Sequence, residues 1–147
     1  MQFSRSALLI GLLALGGCAT QEGSVPNLSS VLLDTSGQNG RACVQQRDIR
    51  GYGVLDGDVI SIDARRGYYL ATTLPGCNNL GTAPRAAFEE RFSEVCGGGM
   101  HKLYTGDDQC TIRHMFEFED RQSAFKAHQK AIEHRQQLRE AKADAKE

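Results

Sequence analysis

Four of the five cysteines in this chain could form either disulfide bonds or a metal site. They lie 34, 19 and 14 positions apart, at Cys43, Cys77, Cys96 and Cys110. Structural zinc sites usually supply their ligands as close pairs such as Cys-x-x-Cys, and the sequence contains no such pair. Two disulfides are therefore the stronger interpretation. The weaker one is a metal site completed by His101 or His114.

The remaining reactive side chains do not form a recognisable catalytic set. His101 and His114 could act as a base or a ligand, but no serine or cysteine nucleophile pairs with them by motif. A phosphate-binding loop needs Lys-Ser/Thr, which the glycines at 97–99 lack. A calcium loop needs more oxygen ligands than are offered by Asp56, Asp58 and Asp63. We therefore expect no catalytic residue, no metal and no cofactor.

The fifth cysteine, Cys18, follows a segment that combines a positive charge, an apolar run and two small residues. Arg5 supplies a positive charge, residues 7–15 form an apolar run of nine residues, and Gly16-Gly17 precede Cys18. That run is far too short to cross a bilayer, which takes about 20 apolar residues. Leu15-Gly16-Gly17-Cys18 looks like the bacterial lipobox. The resemblance implies cleavage before Cys18 and its modification with acyl chains such as palmitate.

The residue after Cys18 is Ala19 and not aspartate. In lipoproteins of Gram-negative bacteria, this resemblance implies sorting to the outer membrane. Each buried methylene of an acyl chain contributes about 0.8 kcal/mol, so several chains would anchor the protein permanently. We therefore expect a protein held to the outer membrane by its lipid anchor and facing the periplasm.

An oxidising periplasm favours two disulfides among the four other cysteines. Three pairings are possible, and we favour Cys77–Cys96 together with Cys43–Cys110. The first bond would close a local loop, and the second would tie the first strand of the domain to the last. The sequence leaves the other two pairings open.

Length and charge limit the class of protein. Removal of residues 1–17 leaves 130 residues with 16 basic and 18 acidic side chains, a formal charge of −2. This near-neutral balance argues against a nucleic-acid partner, and the length suits one folded domain. We divide the chain into a signal peptide at 1–17, a lipidated cysteine and flexible tether at 18–41, a β-rich domain at 42–118 and a charged helix at 119–147.

Strand patterns dominate the central domain. Asp56-Gly57 lies between two runs rich in β-branched residues, which predicts a hairpin whose turn has positive φ values. Residues 68–74 and 110–118 predict two further strands. In the last of these, Ile112, His114 and Phe116 alternate with Arg113 and Met115. Residues 82–96 fit a helix or a strand, because Phe88 and Phe92 would share a face in either.

The two flanking segments have less to bury. The polar, glycine-bearing residues 19–41 predict a tether, with Val31-Leu32-Leu33 as a short edge segment that could dock on the domain. Residues 119–147 predict a solvated helix that docks through Phe125 and frays after about Leu138. The alternative for this helix is an arm that binds a partner, although its apolar heptads are too few for a coiled coil.

The order of features from Cys43 to Phe118 resembles one family of small proteobacterial lipoproteins of unknown function. The shared features include Asp56-Gly57-Asp58, Tyr69-Leu70, Asn79-Leu80, Cys96-Gly97 and Cys110-Thr111-Ile112. The resemblance covers about half of the chain and does not extend to the charged tail. It implies a β-rich, cysteine-stapled periplasmic domain and carries no assigned activity, and it favours a strand for residues 82–96.

These observations predict a mainly β (α+β) fold, a small disulfide-stapled antiparallel meander or barrel-like sheet with a charged C-terminal helix. We expect an outer-membrane lipoprotein that acts as a non-catalytic binding or structural component of the cell envelope, with a protein, glycan or lipid partner. One alternative is a small envelope hydrolase that uses His101, His114 and Asp58. Another is a thiol-based metal or redox sensor.

Overall fold

The computed structural model describes residues 24–77, 80–81, 86–88, 93–106 and 108–145. Six strands form a curled antiparallel sheet in the order β2-β3-β4-β8-β7-β5, and β1 pairs with β6 in a second, two-stranded sheet. This confirms the predicted mainly β fold with a C-terminal helix. The elements of the described residues are α1 (Leu28–Ser36), β1 (Cys43–Gln45), β2 (Ile49–Asp56), β3 (Val59–Ala64), β4 (Tyr68–Thr73), β5 (Ala86–Phe88), β6 (Glu94–Cys96), β7 (Lys102–Thr105), β8 (Gln109–Phe118) and α2 (Arg121–Asp144).

The hairpin predicted at Asp56-Gly57 joins β2 to β3. Asp56 pairs with Val59, and the Asp56 carboxylate accepts a hydrogen bond from the Gly57 amide at 2.8 Å. Gly57 is not among the glycines with positive φ, so the turn forms without the left-handed backbone that we expected. The hydrogen bond from the Gly57 amide to the Asp56 side chain stabilises the turn instead.

Both faces of the large sheet are covered, because successive side chains of a strand point to opposite faces. On one face, Val59, Leu70 and Phe116 pack against α1 and α2, and we call this the helix-side core. On the other face, Ile60 and Ile62 pack with residues of β1 and β6, and we call this the strand-side core. The protein therefore has three layers, with the sheet in the middle.

A bulge in β8 changes the predicted alternation of its side chains. Thr72 of β4 pairs with His114, while the next residue, Thr73, pairs with Ile112, so Arg113 is the extra residue. Ile112 consequently belongs to the strand-side core together with Met115. These residues are three positions apart, so strict alternation would have placed them on opposite faces. The expectation that Ile112 shares a face with His114 and Phe116 is therefore wrong.

The predicted tether is wrong for residues 28–36, which form α1. The Asn27 side chain accepts a hydrogen bond from the Ser30 amide at 2.9 Å and so caps the helix. Leu28, Val31 and Leu32 follow the helical spacing and are each 0 % exposed. Residues 31–33 dock on the domain as predicted, but as part of a helix and not as an edge segment. Residues 1–23, which include Arg5, Cys18 and Ala19, lie outside the described residues.

The predicted C-terminal helix is present as α2, with Asp120 as its cap. Phe125 is half-buried against the helix-side core and lies 6.1 Å from the Tyr68 ring, as the docking prediction required. The helix does not fray after Leu138 but continues to Asp144, and hydrogen bonds such as that between Gln136 and Glu140 support this half. No helix in the described residues is long and apolar enough to span a membrane.

Apart from Ser93, the described residues within 82–96 are in strands, as the resemblance favoured. Residues 86–88 form β5, which pairs with β7, and residues 94–96 form β6, which pairs with β1. Residues 82–85 and 89–92 lie outside the described residues.

Candidate functional site

His114 connects β8 to α1 through a buried chain of hydroxyl groups. Its Nδ1 atom lies 2.8 Å from the Ser29 Oγ atom, and Ser29 Oγ lies 2.7 Å from the Thr72 Oγ1 atom. Ser29 is 1 % exposed and Thr72 is 0 % exposed. The bulge at Arg113 makes this contact possible, because it directs His114 towards the helix layer while Ile112 remains on the opposite face.

The hydroxyl groups satisfy either protonation state of His114. When the imidazole is neutral, Nδ1 can accept from Ser29 while Ser29 accepts from Thr72. When it is protonated, Nδ1 donates to Ser29, which donates to Thr72. Burial lowers the pKa of His114 below its usual value of 6.5, and the positive charge of Arg113 lowers this pKa further. His114 is therefore mainly neutral at pH 7.

The other half of the site lies along the part of β8 that does not pair with β7. β7 pairs with β8 only at residues 109–111, and beyond that point two loops take its place. Gly40 accepts from the Met115 amide at 2.9 Å, and Gly98 donates to the Arg113 carbonyl at 2.9 Å. One loop precedes β1 and the other follows β6, and together they bring their residues close to His114.

The loops and β8 enclose an open pocket of about 310 Å³. Its lining consists of Asn39, Arg41, Gly98, Gly99, Arg113 and His114. Within the part of the chain that the structure describes, no acidic side chain lines it. Among the residues that the structure describes, no carboxylate forms an ion pair with Arg41 or Arg113, whereas Arg50 pairs with Asp63 at 3.2 Å. The pocket is therefore positively charged.

Two glycines allow the backbone to approach His114 and β8 closely. Gly40 has a φ of 70°, and a Cβ atom there would come within 2.9 Å of the His114 ring. A Cβ atom on Gly97 would overlap the Gly40 carbonyl oxygen and the Met115 backbone nitrogen. The position of the pocket thus depends on glycine at both sites.

A model of a family of unknown function, DUF6491, matches residues 1–141. The chain belongs to this family. The match extends through most of α2, so the family pattern covers much more than the half of the chain that the resemblance covered. Searches of the curated proteins and of the solved structures found no match.

In this DUF6491 protein the four cysteines form two disulfides, but the favoured pairing is wrong. The bonds are Cys43–Cys96 and Cys77–Cys110. Cys43 and Cys96 are directly opposite each other in the β1–β6 pair, whereas β1 is not a neighbour of β8 in either sheet. Glu94 lies near Cys43 and Cys96, but sulfurs bonded to each other are not the thiolates that a metal requires.

The other candidate residues from the sequence do not converge on this pocket. His101 is 9 % exposed and its carbonyl accepts from the Ile112 amide, but it does not line the pocket. Asp58 lies at the β2–β3 turn, where its charge acts on His128 of α2. Asp63 pairs with Arg50 at the opposite end of β3. The proposed set of His101, His114 and Asp58 is therefore not a cluster.

Sequence reasoning missed Ser29, Thr72, Asn39, Arg41 and Arg113 as members of a site. Ser29 and His114 are 85 residues apart, and no motif joins them. One usable signal was the helix start: Asn27 precedes Leu28, Val31 and Leu32 at the spacing of a buried helix face. That signal would have placed Ser29 on a packed element, although it would not have identified its partner.

Proposed function

We propose that this protein is a lipid-anchored outer-membrane protein whose domain serves as a non-catalytic binding or structural component on the periplasmic side. The observation that carries the proposal is the order of Arg5, the apolar run at 7–15, Gly16-Gly17 and Cys18. The two disulfides support it, because disulfides persist in oxidising compartments. The family match supports it as well, since it includes the segment around Cys18.

The helix α1 shortens the tether in this proposal. Only residues 19–27 separate Cys18 from Leu28, and that length of chain reaches at most about 35 Å when extended. A domain on so short a connection stays close to the membrane surface. Any partner would therefore be met near the membrane.

Substitution of Cys18 tests the anchor. In cells that carry the full chain, we expect C18A to lose metabolic labelling with palmitate and to leave the outer-membrane fraction. The matched variant A19D keeps the cysteine, so it is expected to keep the label and to move to the inner membrane. A C18A protein that remains lipid-labelled in the outer membrane would overturn the proposal.

Burial of Ser29 supports a binding role over catalysis. The Ser29 hydroxyl lies within hydrogen-bond distance of a candidate base, His114, and at 1 % exposure it is closed to substrate. Its oxygen is also shared with Thr72. We expect crosslinking in whole cells, followed by purification, to recover an envelope partner with the wild-type protein. A protein that stays alone under all conditions would contradict the binding role.

A small envelope hydrolase is the second candidate, because a hydroxyl lies 2.8 Å from an imidazole whose pKa is lowered. Such an enzyme would expose Ser29 during turnover and would react with a fluorophosphonate probe. Our proposal predicts that wild-type protein is labelled no more than S29A. Labelling that S29A abolishes would instead establish the hydrolase.

A further inference from the structure

We infer that the pocket formed by Asn39, Arg41, Gly98, Gly99, Arg113 and His114 binds an oxyanion of the phosphate class. This inference rests on the proposed binding role and names its ligand chemistry. The ligand is either free phosphate or the phosphate of a lipid headgroup.

The positive charge of the pocket attracts anions. Arg41 and Arg113 line one pocket of about 310 Å³, and in the described residues neither has a carboxylate partner. Guanidinium groups present several N–H donors in a fixed plane and bind phosphate oxygens in pairs. Two such groups in one pocket favour a ligand that carries more than one negative charge.

The other polar groups of the pocket also offer donors. The side-chain oxygen of Asn39 already accepts a hydrogen bond from the Arg41 backbone amide at 3.0 Å, which leaves the side-chain nitrogen of Asn39 to donate. Ser29 engages Nδ1 of His114, so Nε2 is the ring nitrogen left for a ligand. A pocket whose side chains mainly donate selects a ligand that mainly accepts, and phosphate is such a ligand.

The frame of the pocket is fixed before a ligand arrives. Gly98 and Gly99 donate to the carbonyls of Arg113 and Ile112 at 2.9 Å, and Gly40 accepts from Met115. The Cys43–Cys96 disulfide joins the strands that follow Arg41 and precede Gly98. A rigid frame reduces the entropy that binding must overcome.

Calorimetric titration of the full chain with inorganic phosphate at constant ionic strength tests the inference. We expect saturable binding that weakens about 10-fold or more in R41A and in R113A, because each removes a charge-assisted pair of hydrogen bonds. R113K, which keeps the charge but loses the planar donors, is expected to fall between wild type and R113A. R66A removes an exposed arginine that does not line this pocket and should bind as wild type does.

A second arm distinguishes the two sources of phosphate. Vesicles of phosphatidylglycerol are compared with vesicles of phosphatidylcholine, using C18A so that the acyl anchor does not contribute. Binding to free phosphate without preference for the anionic vesicles identifies a soluble ligand, and the converse identifies a headgroup. Circular dichroism verifies that each variant is folded.

Absence of saturable binding in both arms would overturn the inference, as would an R66A variant weakened as much as R41A and R113A. Neither result bears on the anchor, because membrane fractionation of C18A reports on that separately. Conversely, a wild-type protein that binds phosphate but takes up no palmitate in cells would refute the proposed anchor and leave the pocket in place.

Discussion

Gly97 occupies the most crowded backbone position of the site, between the Gly40 carbonyl and the Met115 amide. Both neighbours are backbone atoms, so a side chain there cannot be accommodated by rotation of a flexible group. We expect G97A to lower the free energy of unfolding by about 3 kcal/mol, the upper end of the usual cost of overpacking. Urea denaturation measures the loss.

Gly51 provides the matched control for Gly97. It lies in β2, has no positive φ, and a Cβ atom there would meet nothing within 4 Å. G51A should therefore be as stable as the wild type or slightly more so, because alanine restricts the unfolded chain. Equal losses in G97A and G51A would show that the close approach of Gly40 and Gly97 is not a constraint.

His128 of α2 is 8 % exposed, and its Nε2 atom is buried without a hydrogen-bond partner in the described residues. Burial lowers its pKa from 6.5, and the negative charges of Asp56 and Asp58 oppose this only in part. Since the folded state binds the proton less tightly than the unfolded state, stability should be complete above pH 6.5 and fall as the pH drops below it. His114, whose pKa is also lowered, adds to the same trend.

The variant H128L isolates the contribution of His128. Leucine has a similar volume and no polar atom to leave unpaired, so we expect about 1 kcal/mol more stability at pH 7. The loss of stability between pH 6.5 and 5.5 should also be smaller than in the wild type. Urea denaturation at both pH values measures the slope, with H134Q at an exposed position of the same helix as the control. Identical slopes in H128L and the wild type would contradict the prediction.

Among the elements, α1 departs most from the sequence prediction, because a flexible tether was expected where the structure has a packed helix. Leu32 is 0 % exposed in the helix-side core. L32A should cost about 2–5 kcal/mol in urea denaturation, the usual range for removing a buried leucine side chain. D34A, at an exposed position of the same helix, should have little effect. If L32A were as harmless as D34A, residues 28–36 would be a tether after all.

The elements differ in how well local sequence predicts them. The β2–β3 hairpin and the strand β4 were predicted because alternation and turn residues act over short distances. The face of each residue in β8 could not be predicted, because the bulge at Arg113 depends on pairing with β4. The nature of α1 was missed because polar neighbours on both sides outweighed three buried residues.

At the scale of the whole molecule, the site depends on contacts that local pattern does not encode. Ser29 lies 85 residues from His114, and Arg41 reaches β8 only because β7 ends early. The disulfide pairing has the same origin, since it follows from which strands are neighbours. The sequence therefore predicted that the four cysteines form disulfides. Which cysteine bonds to which depends on the order of the strands in the sheets.

The two disulfides differ in their access to solvent, which predicts the order of their reduction. Cys43 is exposed, whereas Cys110 is 1 % exposed within the strand-side core. A thiolate must reach a sulfur atom to exchange with it, so dithiothreitol should reduce Cys43–Cys96 in the folded protein before Cys77–Cys110. Alkylation at timed intervals followed by mass spectrometry measures the order.

Loss of the accessible bond has a further consequence that can be measured. Because Cys43 and Cys96 are 53 residues apart, the loop-length relation gives about 4 kcal/mol for this bond. C43A/C96A should lose about that much stability, and C77A/C110A, with a separation of 33, a similar amount.

If both bonds of the wild type were instead reduced by dithiothreitol at one common rate, reduction would be passing through global unfolding. Exposure of Cys43 would then not determine which bond reacts first.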